Sequence, residues 1–230
     1  MRILLGLAAV TALAGGGLWA VYGSTWLRVE RVTAGGTEVL TPEAVTRAAG
    51  VPLGVPLASV DTDAVAARVR DRLPRVDSVE VTRSWPHGIG VEVVERKPVL
   101  LVAEKAGWVE IDHSGVRFDT VKTPPKGIPR LDLAAGSSPS LRRFDDDRLV
   151  EAAVRVAVDL PGPVAARTGK VTVRSYDSIT LALTGGRTVL WGSSDQGEAK
   201  GRALTAVLKA APKARHFDVS APSAPAVSGS

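Results

Sequence analysis

Three histidines, at positions 87, 113 and 216, are the only imidazoles in this 230-residue sequence. Imidazole is the side chain best suited to move a proton near neutral pH or to bind a transition metal. A zinc site needs such ligands at short fixed spacings, and a Ser-His-Asp relay needs one beside a nucleophile. Here they fall in two turn-like segments and a terminal strand, so neither arrangement is set up. Cysteine is absent, which removes thiol nucleophiles, cysteine metal sites and a disulfide framework. The run Asp145-Asp146-Asp147 carries oxygen ligands of the kind calcium takes. An acidic helix start, favoured by the helix dipole, explains it without a ligand set. No G-x-S-x-G elbow, Walker A loop or G-x-G-x-x-G occurs. The sequence names no catalytic residue, no metal site and no cofactor, and it reads as non-enzymatic.

The binding classes narrow in the same way. The formal charge is +5, but Lys and Arg alternate with Asp and Glu, and no aromatic-basic stripe appears. A solvated surface accounts for that pattern, and a nucleic-acid partner is not expected. Nothing marks a pocket for a small-molecule substrate. Asparagine is absent, which excludes N-x-S/T glycosylation. Trp85-Pro86 is expected to anchor a hairpin by packing on its own domain.

The elements that position these residues begin with an uncharged run, Ile3–Tyr22. Twenty residues at about 1.5 Å each span a hydrocarbon core of roughly 30 Å. Ala12-Leu13-Ala14 fits a signal-peptidase site, so a cleaved leader is the competing reading. The apolar run continues past that point, and Trp19, Tyr22 and Trp26 cluster at its far end, where aromatic rings favour the headgroup layer. A retained transmembrane helix is expected at 3–22. It follows a short cytoplasmic end at 1–2, and the C-terminal part lies outside the cytoplasm.

About 205 residues remain, enough for one large or two small domains. Trp26–Thr33 reads as an imperfect strand ended by Gly35-Gly36. Thr41-Pro42-Glu43 is a helix start, with Thr as N-cap and Pro in the first turn, and Gly50 ends that helix. A second helix opens at Asp61, carries Val65, Val69 and Leu73 on one face, and closes at Pro74. Val76–Arg83 and Ile89–Glu95 alternate as strands around the turn Ser84–Gly88. The order β-α-α-β-β makes a small α+β domain, expected as an antiparallel sheet with one apolar face under two helices.

The remainder is strand-rich. Strands are expected at 99–103, 108–111, 116–120, 170–174, 179–184, 188–191 and 216–220, and helices at 145–160 and 198–211. Asp112–Gly115 reads as a turn, Thr123–Pro129 as a proline-broken loop, and Ala221–Ser230 as a disordered tail. The last strand, His216-Phe217-Asp218-Val219-Ser220, is either a paired interior strand or an open edge offering N–H and C=O groups to a partner.

Several stretches in register resemble the FtsQ/DivIB family of bacterial cell-division proteins. They are Arg72–Val81 (RLPRVDSVEV) with Trp85-Pro86 and Val91–Pro98 (VEVVERKP); Ile111–Val116 (IDHSGV); Ile128–Leu131 (IPRL); and Phe217–Val219 (FDV). The resemblance implies an α+β fold: one transmembrane helix, a β-α-α-β-β POTRA-type domain at 26–98, a mixed, mainly antiparallel β domain with two helices at 99–220, and the tail at 221–230. It also implies a division scaffold of the cell membrane and septum. That scaffold gathers FtsB/DivIC-like and FtsL coiled-coil proteins, and is linked to FtsW and the septal transpeptidase in peptidoglycan synthesis. Carried onto this sequence, the partner strand adds beside Phe217, Asp218, Val219, Ser220 and Ala221. Ala221 stands where the family pattern has an aromatic contact, and Pro222 and Pro225 shorten the pairing surface. The other reading is a POTRA-bearing secretion or membrane-assembly component.

Overall fold

The computed structural model describes residue 6 and residues 10–16, 26–134 and 146–229. Most of the apolar run therefore lies outside the described residues; residue 6 and residues 10–16 within it are helical. Among the described residues no helix is long and apolar enough to cross a membrane. The chain divides into two compact units, Met1–Arg96 and Lys97–Ser230. The division falls before Pro98, because Pro98 already belongs to the first strand of the second unit.

The first unit contains β1 (Arg31–Gly35), α1 (Pro42–Ala49), a 3-10 turn at Leu57–Ser59, α2 (Thr62–Arg72), β2 (Val76–Ser84) and β3 (Gly88–Glu95). Helix α1 starts where its sequence dictates. The Thr41 side chain accepts from Ala44 N–H, Pro42 occupies the first turn, and Gly50 ends the helix in the left-handed region at φ 57°. Asp61 caps α2 by accepting from the N–H groups of Asp63 and Ala64, both at 3.0 Å. Val45, Ala49, Val65 and Val69 from the helices close over Ile89, Val91 and Val93 of β3. Burying each aliphatic side chain contributes about 1.5–3 kcal/mol, which is what holds such short helices in place.

Two expectations for this unit change. The sheet is mixed, in the order β1-β3-β2: β1 runs parallel to β3 and β2 antiparallel to it. The two-helix crossover leads into β2 at the far edge of the sheet, and the β2–β3 hairpin then brings β3 back between β1 and β2, parallel to β1. The first strand also begins later than Trp26–Thr33 suggested. Residues 27–29 pair instead with the loop before the 3-10 turn, through Val29 N–H to Val55 C=O (2.9 Å) and Leu57 N–H to Leu27 C=O (2.9 Å). Trp85 is 53% exposed.

A single carboxylate closes the unit. Glu95, at the end of β3, is buried and accepts from Glu38 N–H (2.7 Å), Val39 N–H (3.0 Å) and Leu40 N–H (2.9 Å). It thereby holds the segment that leads from β1 into α1. Gly36 makes that segment possible: at φ +74°, a Cβ there would lie 2.0 Å from the Val93 carbonyl oxygen. The next residue, Arg96, ties the start of β2, with Nε donating to Pro74 C=O (3.2 Å) and a guanidinium N 3.0 Å from Asp77.

Among the described residues the second unit is one nine-stranded sheet with helices on its core face. Its strands are β4 (Pro98–Glu104), β5 (Gly107–Asp112), β6 (Arg117–Val121), β7 (Arg130–Leu133), β8 (Thr168–Ser175), β9 (Ser178–Leu183), β10 (Arg187–Gly192), β11 (His216–Asp218) and β12 (Ala226–Ser228). Its helices are α3 (Asp146–Asp159), the single turn α4 (Gly162–Ala165) and α5 (Gly197–Ala210). The spatial order is β12-β11-β10-β9-β8-β7-β4-β5-β6. The pairs β4/β7, β7/β8 and β10/β11 are parallel and the other pairs antiparallel. Leu149, Ala153 and Val156 of α3 and Leu204 of α5 are buried against Val171, Val173, Ile179, Leu181, Trp191 and Phe217.

Two strands here were unexpected. β7 follows the proline-broken loop and is only four residues long, yet it joins β4 to β8 as a parallel neighbour of each. β12 lies within the segment expected to be a disordered tail. A turn closed by Ala224 N–H to Ala221 C=O (3.0 Å) brings Val227 opposite Phe217. The Asp112–Gly115 turn is held by the Asp112 carboxylate, which accepts from Ser114 N–H (2.9 Å), Ser114 Oγ (2.8 Å) and Val116 N–H (2.9 Å).

Burial pushes the Glu95 carboxyl up, but the backbone donors at 38–40 and the Arg75 charge outweigh it and hold it below its ordinary value of 4.5. Its stabilisation is thus present above 4.5 and is lost as pH falls through the lower folded-state value. Glu95→Gln is expected to cost about 2 kcal/mol at pH 7, the range for hydrogen bonds to a charged group. The variant should lose less stability than the parent on acidification to pH 3. Urea denaturation at several pH values measures both; parallel acid limbs would show that Glu95 is not the group responsible.

Candidate partner-binding edge

The family resemblance implies a partner strand beside Phe217–Ala221, and the fold shows what surrounds each residue. Phe217 and Val219 are fully buried in the core of the second unit. Asp218 is half-buried and turns the chain, its carboxylate accepting from Ser220 N–H (2.9 Å) and Ser220 Oγ (2.6 Å). Ser220 and Ala221 are exposed. The backbone of β11 is paired on both sides, in parallel with β10 (Val189 opposite Phe217) and antiparallel with β12 (Val227 opposite Phe217). Beyond β11 the ladder continues through Val219 N–H to Leu190 C=O (3.0 Å). At residues 216–218 no room is left for a further strand. The open edge lies one strand outward, on Ala226–Ser228.

That edge has the properties a docking strand needs. β12 is last in the sheet order among the described residues, so its outer side presents backbone donors and acceptors to no other strand there. All of its residues are exposed, Val227 among them. A cleft of about 380 Å³ flanks it, lined in part by Thr188, Leu190, His216, Asp218 and Val227. A second, of about 430 Å³, lies between Val227–Gly229 and the Ala211–Ala214 segment. Main-chain pairing would supply affinity there, and side chains alternating into the two clefts would supply selectivity. The sequence carried one weak signal for this strand: a β-branched Val227 two residues after Pro225, a residue allowed at a strand entrance.

Helix α5 supports β11 from behind. It begins against α3, where Gln196 takes a left-handed conformation (φ 55°) and Gly197 follows. A Cβ on Gly197 would lie 1.9 Å from Asp159 Oδ2 and 2.7 Å from Asp159 Cβ. Burial, with the nearby Glu198 charge, pushes the Asp159 carboxyl up. One turn further on, Lys200 is buried, and its ammonium donates to Ser193 C=O at 2.9 Å. Burial lowers its pKa, against an opposing pull from Asp195. These contacts are structural: they fix the turn between β10 and α5.

The histidines occupy three separate places. His87 lies 3.6 Å from Glu30, His113 is exposed in the Asp112 turn, and His216 Nδ1 shares a 2.7 Å hydrogen bond with Thr188 Oγ1. Among the described residues no group of three or more His, Cys, Asp or Glu could hold a metal ion. Of the aspartate triplet, Asp145 lies outside the described residues, and α3 starts at Asp146.

Comparison with known proteins follows the same architecture. A family model described as "POTRA domain, FtsQ-type" matches residues 27–96. The cell division protein FtsQ of Streptomyces venezuelae is 61% identical over 100% of this chain and 84% of its own length. The cell division protein FtsQ of Streptomyces coelicolor is 58% identical over 100% of this chain and 89% of its own. The cell division protein FtsQ of Mycobacterium leprae is 36% identical over 94% of this chain and 60% of its own.

Gly197→Ala is expected to force α5 away from α3 and to destabilise the second unit by about 1–3 kcal/mol, the cost of overpacking a close contact. A melting curve unchanged from the parent would show that Asp159 can move aside freely.

Proposed function

Since this chain belongs to the FtsQ family of cell-division proteins, we propose that it acts as a scaffold of the division septum and works by binding, without catalysis. In this reading residues 3–22 cross the cell membrane once, with the N-terminus in the cytoplasm and both units outside it. The uncharged length of that run supports the span. The partners are small single-span coiled-coil division proteins of the FtsB/DivIC and FtsL type, and through them FtsW and the septal transpeptidase that build peptidoglycan.

The observation that carries the proposal is the unoccupied outer side of β12. A partner segment in extended conformation joins there as a tenth strand, next to Ala226–Ser228. Phe217 and Val219 contribute indirectly, since their burial fixes β11 and so the strand that β11 holds. Ser220 and Ala221 lie at the start of the turn that leads to β12 and remain within reach of the same partner. The pairing surface is short, so the flanking clefts must supply part of the affinity. The secretion or membrane-assembly reading has no observation in its favour.

Val227→Pro is the direct test, because proline removes a backbone donor from the edge while touching little of the core. The full-length variant, purified from membranes, should lose the co-purifying coiled-coil partner while its melting temperature stays close to that of the parent. Retention of the partner at the parental level would refute pairing on β12.

A further inference from the structure

Three exposed apolar side chains lie on segments that join at one end of the first unit, and the strand register explains why. Because β1 and β3 are parallel with Arg31 opposite Gly88, the tip of the β2–β3 hairpin emerges beside the entrance to β1. His87 C=O accepts there from Glu30 N–H (2.9 Å) and Arg31 N–H (3.3 Å). The loop before the 3-10 turn joins the same end, through Gly54 N–H to Val29 C=O (2.8 Å). Arg83 fastens it from the other side, with Nε donating to Leu57 C=O at 3.2 Å. Backbone from residues 26–30, 53–57 and 83–88 thus forms one surface. It leaves Trp26 74%, Leu53 64% and Trp85 53% exposed.

Elsewhere in this unit Leu57, Val65 and Ile89 are almost wholly hidden, while Val39 and Val94 stand exposed singly and away from this end. An exposed cluster of two tryptophans and a leucine is costly in water unless something covers it. The chain itself limits what that can be. Only four Cα–Cα steps separate Tyr22, the last residue of the apolar run, from Trp26, so the two lie at most about 14 Å apart. If residues 3–22 span a bilayer, this end of the unit is held at the bilayer surface. Tryptophan prefers that layer, with its ring in the apolar margin and its N–H in the wet one. Arg31, exposed at the same end, suits the lipid phosphates.

We propose that this end of the first unit rests on the membrane, with Trp26, Leu53 and Trp85 inserted into the lipid headgroup layer. The proposal rests on the reading of residues 3–22 as a transmembrane span. It gives Trp85-Pro86 a function at the membrane surface and fixes the orientation of the domain relative to the bilayer.

The cysteine-free sequence makes the test direct. Single cysteines at Ser84, Val39 and Leu13 of the full-length chain are labelled with an environment-sensitive fluorophore. The chain is then reconstituted into vesicles of phosphatidylcholine and phosphatidylglycerol. Nitroxides are carried on the lipids either near the headgroups or at the bilayer centre. The S84C label should be quenched by the shallow nitroxide. The V39C label sits at the opposite end of the sheet, where residues 38–40 meet Glu95, and should not be quenched. Adding Trp85→Ser and Leu53→Ser should reduce S84C quenching to the V39C level while the melting curve is kept. Quenching of L13C by the deep nitroxide reports the span separately. If L13C is quenched and S84C matches V39C, the docking is overturned and the span stands. If L13C is unquenched, the span reading fails, and an unquenched S84C label still overturns the docking.

Discussion

One buried carboxylate decides the shape of the N-terminal unit. Glu95 sits at the last position of β3 and gathers the backbone N–H groups of residues 38–40, the segment that turns β1 into α1. Without it those donors would lose their charged acceptor, and hydrogen bonds to a charged group contribute about 1.5–3 kcal/mol each. Arg96 then pins the start of β2 through Pro74 and Asp77, so two adjacent residues lock both ends of the helical crossover to the sheet. This gives a physical reason for the Glu-Arg pair in the sequence VEVVERKP. It also has a consequence at the far end. With the crossover fixed, β1 must lie parallel to β3, and the hairpin tip is carried to where the chain enters the domain.

The second unit depends on pairing over long sequence distances. β7 is four residues long and stands between β4 and β8, so the sheet holds together through a strand that makes no hairpin. Parallel pairs of this kind obtain their stability from burial on the core face, here supplied by α3 and α5. The sheet then ends in two strands of different character. β11 is anchored by Phe217 in the core, whereas β12 is held by its backbone and by little else. A strand that is well registered on one side and open on the other is what strand addition requires. The burial of Phe217 and Val219 and the exposure of Ala226–Ser228 are two parts of one arrangement.

Much of this was legible in the residues. Thr41-Pro42 and Gly50 delimit α1, Asp61 starts α2, and the alternation in 76–83 and 89–95 marks β2 and β3, because capping and period-two patterning are local. The D-x-x-G turn was legible for the same reason: Asp112 reaches only as far as Val116. The sequence also carried the resemblance to a division family. It put a strand at 216–220, of which residues 216–218 form β11.

What it could not supply was decided by partners distant in the chain. Residues 27–29 look like the start of β1, but the loop at 54–57 captures them first. β7 and β12 are too short to show a period, and each exists only because a neighbouring strand offers it a ladder. The exposure of Trp85 was equally hidden, since a Trp-Pro turn reads the same whether the ring packs inward or outward. Local chemistry fixes where helices start and turns close. Only the assembled sheet determines which backbone edge is left open and which apolar side chains are left uncovered.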